Sequence, residues 1–384
     1  MVIQHMTKSN TALNFIDVFS GAGGLSCGLE LAGMRCLLGV DMDKNAIETF
    51  KANHLHANTY CGSVLDLTEK KLKELINNQT VHAVVGGPPC QGFSTVGLGN
   101  PNDLRNSLFR EFVRLVKITN PYYVIIENVT GLLAKKNEKT LANIFKLFHK
   151  MGYNLDVQVM SAENYGVPER RRRTIIIGSR INESIIFPKP NTKIMTVGDA
   201  LKNLKAPNGK FFNHDIELAA IKKKIELERI KCIPEGCGIR YEKDEKAYFK
   251  KSSLKLGVDW KNLRENRFRQ TKYQRLDTKK PSPTIMTHRH NYFHPLEPRY
   301  LTQREAAALQ SFPNDFKFMG PLSAQWRQIG NAVPPKLGLA LGKAILSMYA
   351  EKKMKIIKKT NNKSSSEELV TTIRKRAFNY SNSK

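Results

Sequence analysis

The sequence is short of acidic residues. Only 34 Asp and Glu stand against 62 Lys and Arg, a net charge of +28 over 384 residues. That imbalance favours polyanionic partners, through counterion release and long-range steering. Long apolar runs are missing as well: nothing approaches the ~18 uninterrupted apolar residues of a membrane span. The opening "MVIQHMTKSNTALN" lacks the apolar core of a secretory signal. The expectation is a cytoplasmic protein with no membrane partner. Cysteines are few and scattered, at positions 27, 36, 61, 90, 232 and 237, which fits reduced thiols and not a disulfide framework. Cys232 and Cys237, in "CIPEGC", lack a second pair at zinc-ligand spacing, so no metal is expected. There is no internal repeat. What remains, 41% hydrophobic, suffices for a proper core and excludes global disorder.

The first half alternates apolar runs with helical patterns. "FIDVF" (15–19), "CLLGV" (36–40), "VHAVV" (81–85) and "YYVII" (122–126) read as buried strands. Helices are predicted at "LSCGLELAG", "DKNAIETFKANH" and 107–118, the last placing Leu108, Phe112, Leu115 and Val116 on one face. Such alternation predicts an α/β fold, a doubly wound and mostly parallel sheet covered on both sides. "LDVQVMSA" (155–162) and "RTIIIGS" (173–179) suggest a hairpin closing that sheet. From about residue 186 the alternation stops. A linker, "FPKPNTK", leads into a basic region with one amphipathic helix at 216–231. A second helix is predicted at 302–312, started by a capping box of Thr302 and Glu305 and stopped by Pro313. A last helix covers 338–350. The expected organisation is a catalytic and cofactor domain of residues 12–186 plus 322–350, a smaller domain of 187–321, and fraying basic termini at 1–11 and 351–384.

In an open parallel sheet, ligands bind at the carboxyl ends of strands. Four candidate features share that rim. The first strand runs into a loop of Phe19, Ser20, Gly21, Ala22, Gly23 and Gly24, and the second ends at Asp41. "VHAVV" leads into Gly86, Gly87, Pro88, Pro89 and Cys90, and "YYVII" into Glu127 and Asn128. Singly, each has an ordinary reading. The glycine loop is not the full GxGxxG, because Ser26 stands at its last position. Asp41 could equally be a helix N-cap, Cys90 a buried hydrophobe, and Glu127 a salt-bridge partner. Together they suit one chemistry. A thiolate adds to an electron-poor ring while a carboxyl group of raised pKa protonates or hydrogen-bonds a ring nitrogen. On a basic protein, the natural acceptor is a pyrimidine base.

The blocks "DVFSGAGGLSCGLELAG", "GGPPCQGFS", "ENV" (127–129), "NYGVPERRRRTIIIG" (164–178), "RYLTQREAAALQSFP" (299–313) and "QIGNAVPPKLGLALGKAI" (328–345) occur in that order. In this series the chain resembles the DNA (cytosine-5)-methyltransferases of bacterial restriction-modification type. The resemblance implies the S-adenosylmethionine-dependent methyltransferase fold and a Cys90 thiolate that adds to C6 of a flipped cytosine. It implies that Glu127 holds N3 and the exocyclic amine, and that Arg171 and Arg173 serve catalysis. For S-adenosylmethionine it points to Phe19, Gly21, Gly23, Leu25, Asp41, Met42, Pro89, Leu108, Asn331 and Val333. Ser63 and Val64 join them by position, although the family often has Asp where Ser63 stands. Glu169 likewise replaces the family's Gln ahead of the arginines, and Arg170 and Arg172 make the run continuous. Residues 187–298 correspond to the family's target-recognition region, whose "RFRQTKYQR" and "THRHNYFHP" suit backbone and base-edge contacts. The implied partners are double-stranded DNA and a restriction endonuclease acting on the same site, with the enzyme itself a monomer. The competing readings are a transfer-RNA cytosine-5 methyltransferase, a catalytically silent DNA-binding regulator that would have lost Cys90 or Glu127, and a dinucleotide-dependent oxidoreductase.

Overall fold

The computed structural model describes residues 12–88, 104–182, 184–204 and 211–351. Within them the chain forms two compact units: residues 12–165, 171–192 and 332–351, and residues 166–170 and 193–331. Residues 322–331, grouped with the catalytic part on sequence, lie in the second unit. There Gln310 donates to the carbonyl of Ile329, and Gly330 packs against the backbone of Met286.

The first unit is built on a seven-stranded sheet. Its strands are β1 (Asn14–Val18), β2 (Arg35–Asp41), β3 (Asn58–Cys61), β4 (Ala83–Gly86), β5 (Tyr123–Asn128), β6 (Asn154–Ser161) and β7 (Arg172–Ser179), in the order β3-β2-β1-β4-β5-β7-β6. β7 runs antiparallel to both of its neighbours and every other pairing is parallel. The predicted hairpin therefore exists, but it is its second strand that meets β5. β3 escaped the sequence reading because "NTYC" is a polar edge strand with no buried residue.

Alternation along the strands supplies two apolar faces. Ile16, Val18, Val84, Val124 and Ile126 pack with α3 (Glu69–Leu75), α4 (Leu104–Thr119) and α5 (Glu138–Lys150) on one side. Phe15, Ala83, Val85, Tyr123 and Ile125 face the other, toward Leu25 and Leu29 of α1 (Gly24–Leu31), Phe50 of α2 (Lys44–Asn53) and Leu337 and Leu341 of α11 (Pro335–Ala350). The face predicted for α4 is the buried one: Phe112, Leu115 and Val116 are fully enclosed and Leu108 packs at their edge.

The second unit holds α6 (Val197–Leu201), α7 (Lys224–Lys231), α8 (Glu242–Tyr248), α9 (Gln303–Leu309) and α10 (Leu322–Asn331), with two two-stranded sheets. The helix predicted at 216–231 forms only from Lys224. Ahead of it Asp215 caps a turn at Leu218, and three lysines in a row at 222–224 offer no apolar stripe to continue one. α9 starts as predicted, with the Thr302 and Glu305 capping box intact. It ends before Pro313, where Ser311 takes a left-handed φ of 65°.

Candidate active site

β1 leaves the sheet through Phe19, a non-glycine residue at φ 66°, and enters the glycine loop. Gly23 has φ 88°, and a Cβ there would stand 2.2 Å from His54 Nε2, so only glycine fits. Over Gly21 the space is open, with nothing within 4 Å of where a Cβ would be. The backbone amide of Gly21 donates to Asp41 Oδ2 at 2.8 Å, and that of Asp43 to Oδ1 at 2.9 Å. The ends of β1 and β2 are thereby fastened to each other. The N-cap of α2 is Asp43, accepting from Asn45 and Ala46. This resolves the two readings of Asp41: it is not the cap, and its carboxylate stands at the rim. Burial pushes its carboxyl above the usual range, against the pull of those amides.

The next side chain, Met42, is 76% exposed beside it. Ser63 lies just past the end of β3, where Gly62 donates to the carbonyl of Asp41 at 3.0 Å. Its hydroxyl accepts from Leu65 N at 3.2 Å and caps a short turn, while Val64 turns its side chain into the core. Leu25 is likewise a core residue, so a ligand could meet only its backbone.

Beside this half of the rim lies a second cluster. Glu127, near the end of β5, accepts from Arg173 Nε at 2.8 Å. Burial raises the carboxyl pKa of Glu127, opposed by the charges of Arg173 and Arg171. The alternation of β7 separates its two arginines, and Arg171 lies just ahead of the strand. Arg173 faces Glu127, Arg172 is exposed, and Arg171 is buried at 1% exposure, its carbonyl accepting from Ala162. Glu169 belongs to the second unit, where it is buried and accepts the amide of Ile285 at 2.6 Å. Gly87 lets the end of β4 lie against the acid, since a Cβ there would be 3.0 Å from Glu127 Oε2. Asn128 Nδ2 donates to the carbonyl of Pro88 at 2.9 Å. The chain is thus held at the carboxylate two residues before Cys90. Cys90 itself, with Pro89, lies outside the described residues.

Comparisons with known proteins give the family. The family description "C-5 cytosine-specific DNA methylase" matches residues 13–347. The chain belongs to that family. This methylase is 37% identical over 350 residues to the type II methyltransferase M1.HphI of Haemophilus parahaemolyticus, covering 88% of this chain and 87% of the relative. It is 35% identical over 360 residues to M.Eco47II of Escherichia coli, covering 88% and 80%. Among solved structures, a candidate DNA modification methyltransferase encoded within an E. coli prophage superposes with a TM-score of 0.64 at 29% identity, over 88% of this chain and all of that one. The Dnmt2 methyltransferase of S. pombe, at 17% identity and a TM-score of 0.53 over 87% and 98%, shares the fold. The methylase is therefore a DNA (cytosine-5)-methyltransferase with the S-adenosylmethionine-dependent methyltransferase fold, and its family implies S-adenosylmethionine as methyl donor. Among the described residues no helix is long and apolar enough to cross a membrane.

The two predicted contacts late in the chain fall in different units. Val333 packs half-buried against the core of the first unit, while Asn331 is an exposed residue ending α10 in the second. Two residues went unremarked. Asp17, the one charge in a buried strand, accepts from Ser26 Oγ at 2.6 Å behind the glycine loop. Burial lifts its carboxyl pKa to about 7. A lone acid in "FIDVF" was the visible signal. The other is Arg114, spaced three residues from Glu111 on α4.

Proposed function

We propose that this enzyme methylates C5 of a cytosine turned out of a specific double-stranded DNA sequence, through a covalent bond from Cys90 to C6. The observation that carries the reading is the joint at the ends of β4 and β5. There a half-buried carboxyl group of raised pKa, paired with Arg173, adjoins the chain leading into Cys90. Glu127 in its acid form donates to N3 of the cytosine, and Arg173 turns its carboxyl group toward the base. Cys90 adds its thiolate to C6, which makes C5 nucleophilic. Once C5 carries the methyl group and has lost its proton, the bond to Cys90 breaks by β-elimination. The target atoms are unreachable inside a stacked duplex, so the base leaves the helix at a cost of a few kcal/mol.

The other end of the rim suits S-adenosylmethionine, whose sulfonium supplies an electrophilic methyl group. Asp41 has acceptor capacity for ribose hydroxyls, the glycine loop leaves open space at Gly21, and Met42 and Ser63 flank the position for adenine. Phe19, Gly23, Leu25, Val64, Pro89, Leu108, Asn331 and Val333 complete the set by resemblance.

The basic, aromatic-rich region 187–321 supports a role in reading the DNA sequence. The type II relatives support protection of host DNA from an endonuclease of the same specificity, by a monomer acting in the cytoplasm. The test is transfer of labelled methyl from S-adenosylmethionine to duplex DNA and to transfer RNA, with bisulfite sequencing of DNA from expressing cells. Label at C5 within one DNA sequence is expected. Label in transfer RNA alone, or in neither, would overturn the reading.

A further inference from the structure

The turn between β3 and α3 carries Ser63 and Val64, and its anchorage comes from a distant helix. Arg114 lies on α4, fifty residues from Val64 in sequence. Its Nη2 donates to the carbonyl of Val64 at 3.1 Å and to that of Leu67 at 2.8 Å. Its Nε donates to Glu111 Oε2 at 2.6 Å, one turn back on the same helix, so the guanidinium is held from behind while it grips the turn in front. At 32% exposure, the Arg114 side chain sits in a partly desolvated position where charged hydrogen bonds gain strength.

Val64 and Leu67 bury their side chains in the same cluster as Phe109, Phe112 and Leu115 of α4, and the turn closes on itself through bonds from Asp66 N to the Ser63 carbonyl at 3.0 Å and from Leu67 N to the Val64 carbonyl at 3.3 Å. On its ligand side the Ser63 hydroxyl accepts from Leu65, and Gly62 donates to the Asp41 carbonyl. Arg114 Nη2 adds the polar tie from this turn to α4: one guanidinium nitrogen bridging two carbonyls three residues apart couples the rotation of the turn, and with it the direction of the Ser63 hydroxyl, to the helix.

We infer that Arg114 is a positioning residue for S-adenosylmethionine: by holding the carbonyls of Val64 and Leu67 it aims Ser63 at the adenine. The inference rests on the cofactor reading above. Because Ser63 Oγ already accepts from Leu65, its proton is the free partner, and the ring acceptors of a purine are its chemical match.

Arg114→Met keeps length and removes every donor, whereas Arg114→Lys keeps the charge and one donor direction. Losing the tie is expected to raise the KM for S-adenosylmethionine, and the Kd for S-adenosylhomocysteine, about tenfold in R114M, with R114K between it and wild type. At saturating cofactor kcat should stay within about twofold, and hydrogen exchange should quicken in the peptide covering residues 62–68. Asp41→Ala, run alongside, separates the two ideas. If it weakens cofactor binding while R114M does not, the role given to Arg114 is overturned. If it binds cofactor as wild type does, the cofactor reading falls and this inference with it. Loss of Tm and kcat at an unchanged KM would make Arg114 a purely structural staple and also overturn the proposal. Should R114M not fold, R114K decides by the same split between KM and Tm.

Discussion

The two units solve the same problem by opposite means. In the first, a mostly parallel sheet hides aliphatic side chains on both faces and satisfies its own backbone, so its strand ends are free to carry polar groups. Asp41, Gly87 and Glu127 all stand there, and Asp41 and Glu127 are each held by a polar contact at the rim. In the second unit, regular structure is short, and buried charges do the work that ladders do in the first. Arg299 binds both oxygens of Glu305 at 2.8 Å, with both side chains nearly enclosed. Arg304, fully buried, donates to the carbonyls of Phe212, Pro313 and Phe316. Its apolar core mixes isoleucines with aromatic rings, Phe293 stacking between Tyr273 and Tyr300. A scaffold held by a few side-chain anchors leaves the intervening loops free to vary in sequence, which suits the DNA-reading role proposed for this region.

That contrast can be broken from either side. Cys90→Ala is expected to reduce methylation to background while cofactor and DNA binding stay close to wild type, as measured by methyl transfer and by titration. Glu127→Gln should lower kcat by about two to four orders of magnitude, the range for a positioned general acid, with little change in DNA affinity. In the second unit, Glu305→Gln strands a buried guanidinium and should cost about 3–5 kcal/mol of that unit's stability. The chain has only two tryptophans, Trp260 and Trp326, and both lie in the second unit, so denaturant melts followed by tryptophan fluorescence report this loss directly. Cofactor affinity should not change with it.

Acid sharpens the comparison. Asp17 in the first unit has a raised pKa, so the stability it contributes is complete below about pH 4 and is lost as pH rises through about 7. For Glu305 burial alone would raise the pKa, but the hydrogen bonds and charge of Arg299 outweigh it and hold the pKa low. Its contribution is present above the usual carboxylate range and is lost as pH falls through the folded value. Asp17→Asn should flatten a slope of at most about 1.4 kcal/mol per pH unit between pH 4 and 7, seen in urea melts by circular dichroism. Glu305→Gln should remove the acid sensitivity of the tryptophan signal. The smallest effect is expected at the α9 cap, where Thr302→Ala should cost about 1 kcal/mol. A larger loss would implicate its second bond, from the hydroxyl to His214 Nδ1 at 2.9 Å.

How much was legible follows the same division. Strands β1, β2, β4 and β5 announce themselves as aliphatic runs, and the polar residues that end them mark the rim. β3 does not, because an edge strand needs no buried side chain. The arginine run could not be resolved on sequence, since only the alternation of β7 shows that Arg173 faces Glu127 and Arg172 faces outward. Arg114 was hidden for a different reason: its partners are backbone carbonyls, which leave no trace in residue identity. In the second unit the capping box of α9 was readable because it is local. The Arg304 contacts, made across more than ninety residues to Phe212, were not.

The central claim is that Glu127 and Cys90 act together on one cytosine, the acid at N3 and the thiolate at C6. Duplex DNA containing 5-fluorocytosine at the recognised site tests it most directly, because after methyl transfer C5 keeps its fluorine and β-elimination cannot proceed. Incubated with S-adenosylmethionine, the wild-type enzyme should be trapped as a covalent complex that survives denaturing electrophoresis. Cys90→Ala should give none, and Glu127→Gln should form it far more slowly. A wild-type enzyme that methylates ordinary DNA yet leaves no adduct on the fluorinated duplex, or an adduct that persists in Cys90→Ala, would contradict the account.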